Sequence, residues 1–222
     1  MTAQSVTTSF DSLQALPGLL IITNFAILGA ERHRLCIRLI AFPGLVLGLL
    51  PFIISGSERD MHFMLTGGFF LFVKAVVLPL LLRRTYMRLP TQGSRDPYIG
   101  YPLCVLLGVS GLVLSIWLAS QLDEAANPLL AMVFPVGLAT VIAGLLLIVT
   151  RREILAQVFG YLVLENGIYL MGLPTAQQDM VWIELSVLLD ILVAAFVMGI
   201  AIHHINRAFA SSDVERIASL RD

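Results

Sequence analysis

Long stretches of apolar residues alternate with short polar connections along almost the whole chain. Seven stretches contain about 18 or more residues with almost no charge, enough for a helix to cross roughly 30 Å of hydrocarbon. They lie at about 13–30, 35–55, 61–82, 99–122, 128–149, 154–173 and 182–204. The pattern predicts an all-α integral membrane protein with about seven transmembrane helices.

The composition agrees with this pattern. Of the 222 residues, 58% are hydrophobic and 13% are charged, whereas a soluble domain carries roughly 25% charged residues. The mean hydropathy of +0.88 excludes a disordered chain, a nucleic-acid-binding protein and most water-soluble folds, and it makes membrane lipid the expected surroundings. Cys36 and Cys104 both begin apolar stretches, so we expect neither a disulfide framework nor a cysteine-rich metal site.

The basic residues predict the orientation of the helices. If the N-terminus is outside, the inner segments are 31–38, 83–98, 150–153 and 205–222. These segments hold twelve of the fourteen Lys and Arg residues, the outer segments hold only Arg59, and Lys74 lies within a span. Because basic residues concentrate in cytoplasmic loops, the sequence predicts an N-out, C-in topology.

The spans divide into two three-helix units around a central helix. Residues 1–98 are predicted to form an N-terminal three-helix membrane unit, 99–127 a linking transmembrane helix, and 128–222 a C-terminal three-helix unit with a short cytoplasmic tail. The longest connection, 83–98, is too short for a soluble domain. The chain has no nucleotide-binding loop and no HExxH, CxxC or catalytic-triad spacing, so redox cofactors are expected in partner proteins.

Three ionisable residues fall near the middle of predicted helices. Glu165 lies twelve residues after Glu153, roughly 18 Å along a helix, and Lys74 and Asp190 lie at similar depths in their own spans. A charge at the centre of a membrane helix costs about 2.5–3.5 kcal/mol on insertion scales. The sequence therefore predicts that Lys74, Glu165 and Asp190 form one polar layer between three helices.

Two interpretations of this layer remain open. A buried ion pair could serve only to fix the packing of the helices. However, two carboxylates and one lysine leave one acid without a matching cation, and such a group could take up and release protons. Glu184, two residues into the last predicted span, is either a hydrated acid favoured by the helix dipole or part of a proton exit.

Polar residues near Glu165 extend the candidate site along its helix. Gln157, Tyr161 and Glu165 recur every four residues, so they share one helix face. A hydrogen-bonded chain of water molecules through the membrane would require such a polar stripe.

Other residues in the spans predict packing rather than chemistry. Gly160 and Gly167 are typical of close approach between membrane helices. Asn24 in the first span and Gln121 at the end of the fourth are expected to make local helix contacts. The tail, Ser211–Asp222, is predicted either as a short helix on the inner surface or as a solvated segment.

The sequence resembles a known family over nearly its whole length. The features that carry the resemblance are the basic turn Arg151-Arg152, the phrase FGYLVLENG (Phe159–Gly167), the Glu184…Asp190 spacing, Lys74 in FLFVKAVVLPLLL, and the closing run Ser212–Leu220. In these features the chain resembles the hydrogenase-4 component E family. The C-terminal half of that family is similar to the small three-helix subunit of respiratory complex I and of multisubunit cation/proton antiporters.

The resemblance implies a non-redox membrane-arm subunit of a complex-I-like oxidoreductase in the cytoplasmic membrane of a prokaryote. Membrane-bound nickel–iron hydrogenases and formate hydrogenlyases have such arms. By motif match, Glu165 takes the position of the first of two intramembrane carboxylates on the proton path of the small complex I subunits, and Asp190 takes the second with a shorter side chain. Nickel–iron and iron–sulfur centres would belong to partner subunits, which the resemblance implies are antiporter-like membrane subunits and a soluble redox arm.

Three functions are therefore weighed. In the first, protons or sodium ions move through a relay of Glu165, Asp190, Lys74, Tyr161, Gln157 and Glu184. In the second, the chain only bridges an antiporter-like subunit to the redox arm, and its buried charges are packing pairs. In the third, it is the small subunit of a multisubunit cation/proton antiporter. An independent secondary transporter is disfavoured because the sequence shows no inverted repeat.

Overall fold

Helices make up most of the part of the chain that the structure describes. The computed structural model describes residues 18–31, 33–54, 68–69, 71–88, 97–121, 128–172 and 188–199. Within these ranges short turns separate the helices and no strand occurs, which confirms the all-α prediction for this part of the chain. The predicted tail, Ser211–Asp222, and Glu184 lie outside the described residues.

A helix overlaps each of the seven predicted spans. The helices are α1 (Gly18–Leu28), α2 (His33–Ile54), α3 (Leu78–Arg88), α4 (Tyr101–Ala119), α5 (Pro128–Thr150), α6 (Ile154–Gly172) and α7 (Leu188–Gly199). A π-helical turn, Val73–Val77, directly precedes α3.

Three of these helices are long and apolar enough to cross a membrane. They are α4, the Ala131–Thr150 part of α5, and α6. The apolar parts of α1, α2 and α7 are shorter within the described residues. These lengths support a membrane protein, and the number of spans and their orientation stay predictions.

Helix α3 ends later than the sequence predicts. The span was expected to stop at residue 82, but the helix continues to Arg88, and Arg83 and Arg84 are exposed on its last turns. The first part of the predicted 83–98 connection is therefore helical.

Glycines bring α5 and α6 into close contact. A Cβ atom on Gly160 would lie 2.8 Å from the carbonyl oxygen of Gly144, and one on Gly167 would lie 2.7 Å from that of Gly137. Neither distance leaves room for a side chain, so the predicted close approach at Gly160 and Gly167 is confirmed. Helix α6 also packs against α2, and α4 packs against α5.

One hydrogen bond between distant segments links α1 to α5. Nδ2 of Asn24 donates to Oγ1 of Thr140 at 2.8 Å, while the Thr140 hydroxyl donates to the Val136 carbonyl oxygen. The prediction of a local contact is therefore wrong for Asn24, because an amide in an apolar interior bonds to whichever acceptor the neighbouring helix presents. Gln121 bonds to the adjacent Ser120, so the prediction is confirmed there.

Candidate functional site

Lys74, Glu165 and Asp190 meet in the interior of the helical bundle. The Lys74 ammonium donates a hydrogen bond to Oε1 of Glu165 at 2.8 Å, and Oδ2 of Asp190 lies 4.0 Å from the same nitrogen. The three side chains are 4%, 1% and 0% exposed. The predicted proximity of these three residues is confirmed, and we call them the ionic cluster.

An unusual backbone segment presents Lys74 to its partners. Lys74 lies in the π-helical turn Val73–Val77, a geometry that is rare and often found at functional sites. Helix α2 approaches this turn at Gly44, where a Cβ atom would lie 3.1 Å from Cγ of Lys74 and 3.3 Å from its carbonyl oxygen. Because Gly44 lacks a side chain, the aliphatic stem of Lys74 can lie directly against α2.

The two carboxylates come from different helices. Glu165 lies in the second half of α6, whose residues are mostly buried, and Asp190 is near the first described residue of α7. Lys74 is 91 positions from Glu165 in the sequence. The ionic cluster therefore holds together three separate parts of the chain and is enclosed on the α6 side.

The charges of the ionic cluster do not balance. With all three groups ionised its net charge is −1, and with one carboxyl protonated its net charge is 0. Net charge in apolar surroundings is costly, and among these three groups the state with one carboxyl protonated is the neutral one. Both carboxylates lie within 4.0 Å of the same ammonium. The ionic cluster therefore combines one cation with two acidic groups from two helices.

Two further polar residues of α6 are buried near the ionic cluster. Tyr169 is 5% exposed and its ring centroid lies 5.6 Å from Nζ of Lys74. The four-residue repeat that runs through Glu165 continues to Tyr169, so the sequence contained a signal for it. Asn166 is also buried, and its Oδ1 has no hydrogen-bond partner among the described residues.

The other predicted relay residues lie outside the ionic cluster. Gln157 and Tyr161 precede Glu165 by eight and four residues, roughly 12 and 6 Å along the helix. Nε2 of Gln157 donates to the carbonyl oxygen of Arg151 at 3.2 Å, so this side chain is engaged at the start of α6. Tyr161 is partly buried and packs against the apolar core. Their part in a relay stays a prediction, and Glu184 lies outside the described residues.

A second buried cation lies where three connections meet. Arg151 is 7% exposed, its Nη2 donates to the carbonyl oxygen of Leu28 at 2.7 Å, and its guanidinium carbon lies 4.1 Å from the Tyr101 ring centroid. The backbone nitrogen of Tyr98 donates to the carbonyl oxygen of Thr150 at 2.9 Å. We call this end of the bundle the basic end. No sequence pattern indicates that Arg151 is buried, since its partners come from distant segments.

Comparison with known proteins shows distant similarity over almost the full length. The chain is 28% identical over 208 residues to the uncharacterised protein Rv0085 of Mycobacterium tuberculosis, covering 92% of this chain and 94% of that protein. It is 24% identical over 206 residues to hydrogenase-4 component E of Escherichia coli K12, covering 93% of this chain and 95% of that protein. No protein-family model and no solved structure matches. The chain is thus a distant relative of hydrogenase-4 component E.

Proposed function

We propose that this chain is a non-redox membrane-arm subunit of a complex-I-like oxidoreductase of the membrane-bound hydrogenase or formate hydrogenlyase type. In this role the ionic cluster passes protons, or in some complexes sodium ions, through the membrane part of the complex. The similarity to hydrogenase-4 component E supports membership of a multisubunit hydrogenase complex. The transfer of ions is our further proposal.

The observation that carries this proposal is the composition of the ionic cluster. A packing pair needs one cation and one anion, whereas here one ammonium lies beside two buried carboxylates from different helices. Ionisable groups at membrane depth are rare and mark ion pathways in many membrane proteins. The second carboxylate gives the site a place for an exchangeable proton.

The proposal assigns the remaining chemistry to partners. Nickel–iron and iron–sulfur centres would lie in a soluble redox arm, and antiporter-like membrane subunits would continue the ion path on either side. We place the basic end on the cytoplasmic side of a prokaryotic inner membrane, because Arg83, Arg84 and Arg152 are exposed near the ends of their helices and basic residues favour that side.

A structural bridge is the second candidate function. The 2.8 Å bond between Lys74 and Glu165 favours it, because a direct ion pair between distant segments can hold helices together without any transfer of protons. In that case the neutral pair made by Lys74→Met with Glu165→Gln would assemble normally and keep full coupling. If this chain is instead the small subunit of a multisubunit cation/proton antiporter, it would co-purify with the other antiporter subunits and without any redox subunit.

The test removes each carboxylate in the complete complex. Glu165→Gln and Asp190→Asn keep the shape of each side chain and abolish its ionisation. The complex is purified through a tag on this chain, its subunits are identified by mass spectrometry, and it is assayed in vesicles. Hydrogen evolution from reduced methyl viologen and acidification reported by a pH-sensitive dye are followed together. We expect redox turnover to continue while proton movement per turnover falls sharply.

The matched control is Thr140→Val. It removes another buried polar group from the membrane-spanning part and breaks the hydrogen bond from Asn24, but it changes no ionisable residue. We expect coupling in this variant to equal that of the unmodified complex. If Glu165→Gln and Asp190→Asn also keep their coupling, the relay proposal is wrong and the structural bridge is favoured.

A further inference from the structure

A small cavity opens at the basic end, away from the ionic cluster. Its volume is about 30 Å³, and its polar lining is formed by Glu31, Cys36, Arg151, Arg152 and Glu153. On this measure one water molecule needs roughly 10–15 Å³, so the cavity has room for about two. Glu31 and Arg152 are exposed, which places the mouth of the cavity at the surface.

The lining does not suit an anion such as a lipid phosphate. Two arginines and two glutamates surround the cavity, so their charges cancel. Both guanidinium groups also have partners that hold them in place: Tyr101 and the Leu28 carbonyl oxygen for Arg151, and the Tyr98 ring at 4.2 Å for Arg152. Water, which can accept from the arginines and donate to the glutamates, fits this lining better.

Two helices lead from the cavity lining toward the ionic cluster. On α6 the lining residue Phe159 precedes Glu165 by six residues, about 9 Å of helix. On α2 the lining residue Cys36 and Gly44 lie eight residues apart, about 12 Å, and Gly44 contacts Lys74. The apolar side chains of Ile40 and Phe159, which lie along these two stretches, are buried.

We propose that this cavity is the water-filled entrance through which protons reach the ionic cluster, with Glu153 as the residue that collects them at its mouth. This inference rests on the proposed function and adds to it the side of entry. Glu153 directly precedes α6, the helix that carries Glu165, and its carbonyl oxygen accepts a hydrogen bond from the backbone nitrogen of Gln157. Gln157 and Tyr161 follow Glu153 at four-residue steps. The buried apolar side chains of Ile40 and Phe159 keep the cavity water from forming a continuous chain to the ionic cluster, which prevents a leak between transfers.

The two cysteines of the chain test whether the cavity holds water. Cys36 lines the cavity, whereas Cys104 is fully buried outside it, with its sulfur 3.7 Å from the Thr150 hydroxyl. The complete complex in vesicles is treated with a charged methanethiosulfonate reagent, and labelling of each cysteine is followed by mass spectrometry. Both thiols are buried, which slows the reaction of each, but only Cys36 lines the cavity, so we expect Cys36 to react faster than Cys104.

Equal and slow labelling of Cys36 and Cys104 would overturn the proposal that the cavity is a water-filled entrance. Labelling after denaturation confirms that both thiols are reactive, and Cys36→Ser removes the fast signal. Labelling from only one side of oriented vesicles also identifies the side that the basic end faces. Fast labelling of Cys36 from the cytoplasmic side supports the entrance, and fast labelling only from the opposite side would contradict the proposed side of entry.

Variants of the acids then test the collecting residue. We expect Glu153→Gln to slow proton movement per redox turnover several-fold, Glu153→Asp to restore most of it, and Glu31→Gln to have the smaller effect, since Glu31 lies on a different segment from α6. Suppose that Glu153→Gln moves as many protons per redox turnover as the unmodified complex, while Glu165→Gln uncouples proton movement from turnover. The proposed entrance is then wrong and the proposed function stands. If Glu165→Gln leaves coupling intact, the proposed function fails, whatever the labelling of Cys36 shows.

Discussion

Two basic side chains are buried in the described part of the chain, and they are stabilised in different ways. Arg151, at the basic end, makes its direct contacts with neutral groups: a backbone carbonyl oxygen of Leu28 at 2.7 Å and the ring of Tyr101. Lys74, in the bundle interior, is surrounded by the carboxylates of Glu165 and Asp190. Both side chains are less than a tenth exposed, so burial alone does not distinguish them.

The chemistry of the partners distinguishes the two regions. An arginine stays protonated in proteins, and neither a carbonyl oxygen nor a tyrosine ring beside it exchanges protons readily, so Arg151 and its direct partners keep a constant charge. Around Lys74 two carboxylates can each bind a proton, so the charge there is variable. We infer that the first region fixes the geometry of three connections and that the second is suited to ion transfer.

The largest effect is expected from removing the cation of the ionic cluster. Lys74→Met leaves Glu165 and Asp190 buried without their ammonium, and the loss of one partner from a buried pair costs about 3–5 kcal/mol. Thermal unfolding of the detergent-solubilised complex measures the loss. We expect Lys74→Met with Glu165→Gln to recover part of the stability, because one of the two unpaired charges is then removed.

This double variant also separates the two functions. If it assembles, regains stability and still moves protons as the unmodified complex does, the ionic cluster is a packing device like the Arg151 region. If stability returns and proton movement does not, the two regions differ as proposed. An unchanged melting temperature in Lys74→Met alone would contradict the ion pairing seen in the structure.

A smaller loss of stability is expected when Arg151 is replaced. Arg151→Ala breaks a charged hydrogen bond, worth about 1.5–3 kcal/mol, and the contact with Tyr101. Arg152→Ala is the matched control, because Arg152 stacks in the same way on Tyr98 but is exposed, where such contacts contribute only about 0.5–1 kcal/mol. Equal melting temperatures for the two variants would show that the burial of Arg151 adds no stability.

The two regions also differ in how far the sequence predicts them. Lys74, Glu165 and Asp190 could be grouped from the sequence because a charge in an apolar span needs a partner, and few candidates exist. Arg151 could not, since a basic residue next to a turn resembles any other loop arginine and its partner Leu28 is 123 positions away. The helix positions follow from hydrophobicity, whereas the π-helical turn at Lys74 depends on packing that periodicity does not encode.

Overpacking the contact between α5 and α6, the helices that connect the two regions, is expected to reduce stability by less than the loss of Lys74. Gly160→Ala would place a Cβ atom 2.8 Å from the backbone of Gly144 and of Ile148, so the helices must separate. Overpacking of this kind costs roughly 1–3 kcal/mol, measured by thermal unfolding. Gly18→Ala is the control, since nothing lies within 4 Å of a Cβ atom there. If both variants melt alike, the contact between α5 and α6 is looser than the structure indicates.

The smallest effect is expected at the neutral hydrogen bond between Asn24 and Thr140. Interhelical hydrogen bonds in membranes contribute about 0.6 kcal/mol on average, because the separated helices find other partners. A double-mutant cycle of Asn24→Ala and Thr140→Val, read by thermal unfolding, should give a coupling energy of about that size. The bond joins α1 to α5, whereas the Arg151–Leu28 bond joins α1 to the connection between α5 and α6. A coupling energy as large as the loss of stability in Lys74→Met would mean that neutral hydrogen bonds stabilise this bundle as much as the ionic cluster does. The contrast drawn between the ionic cluster and the rest of the bundle would then be wrong.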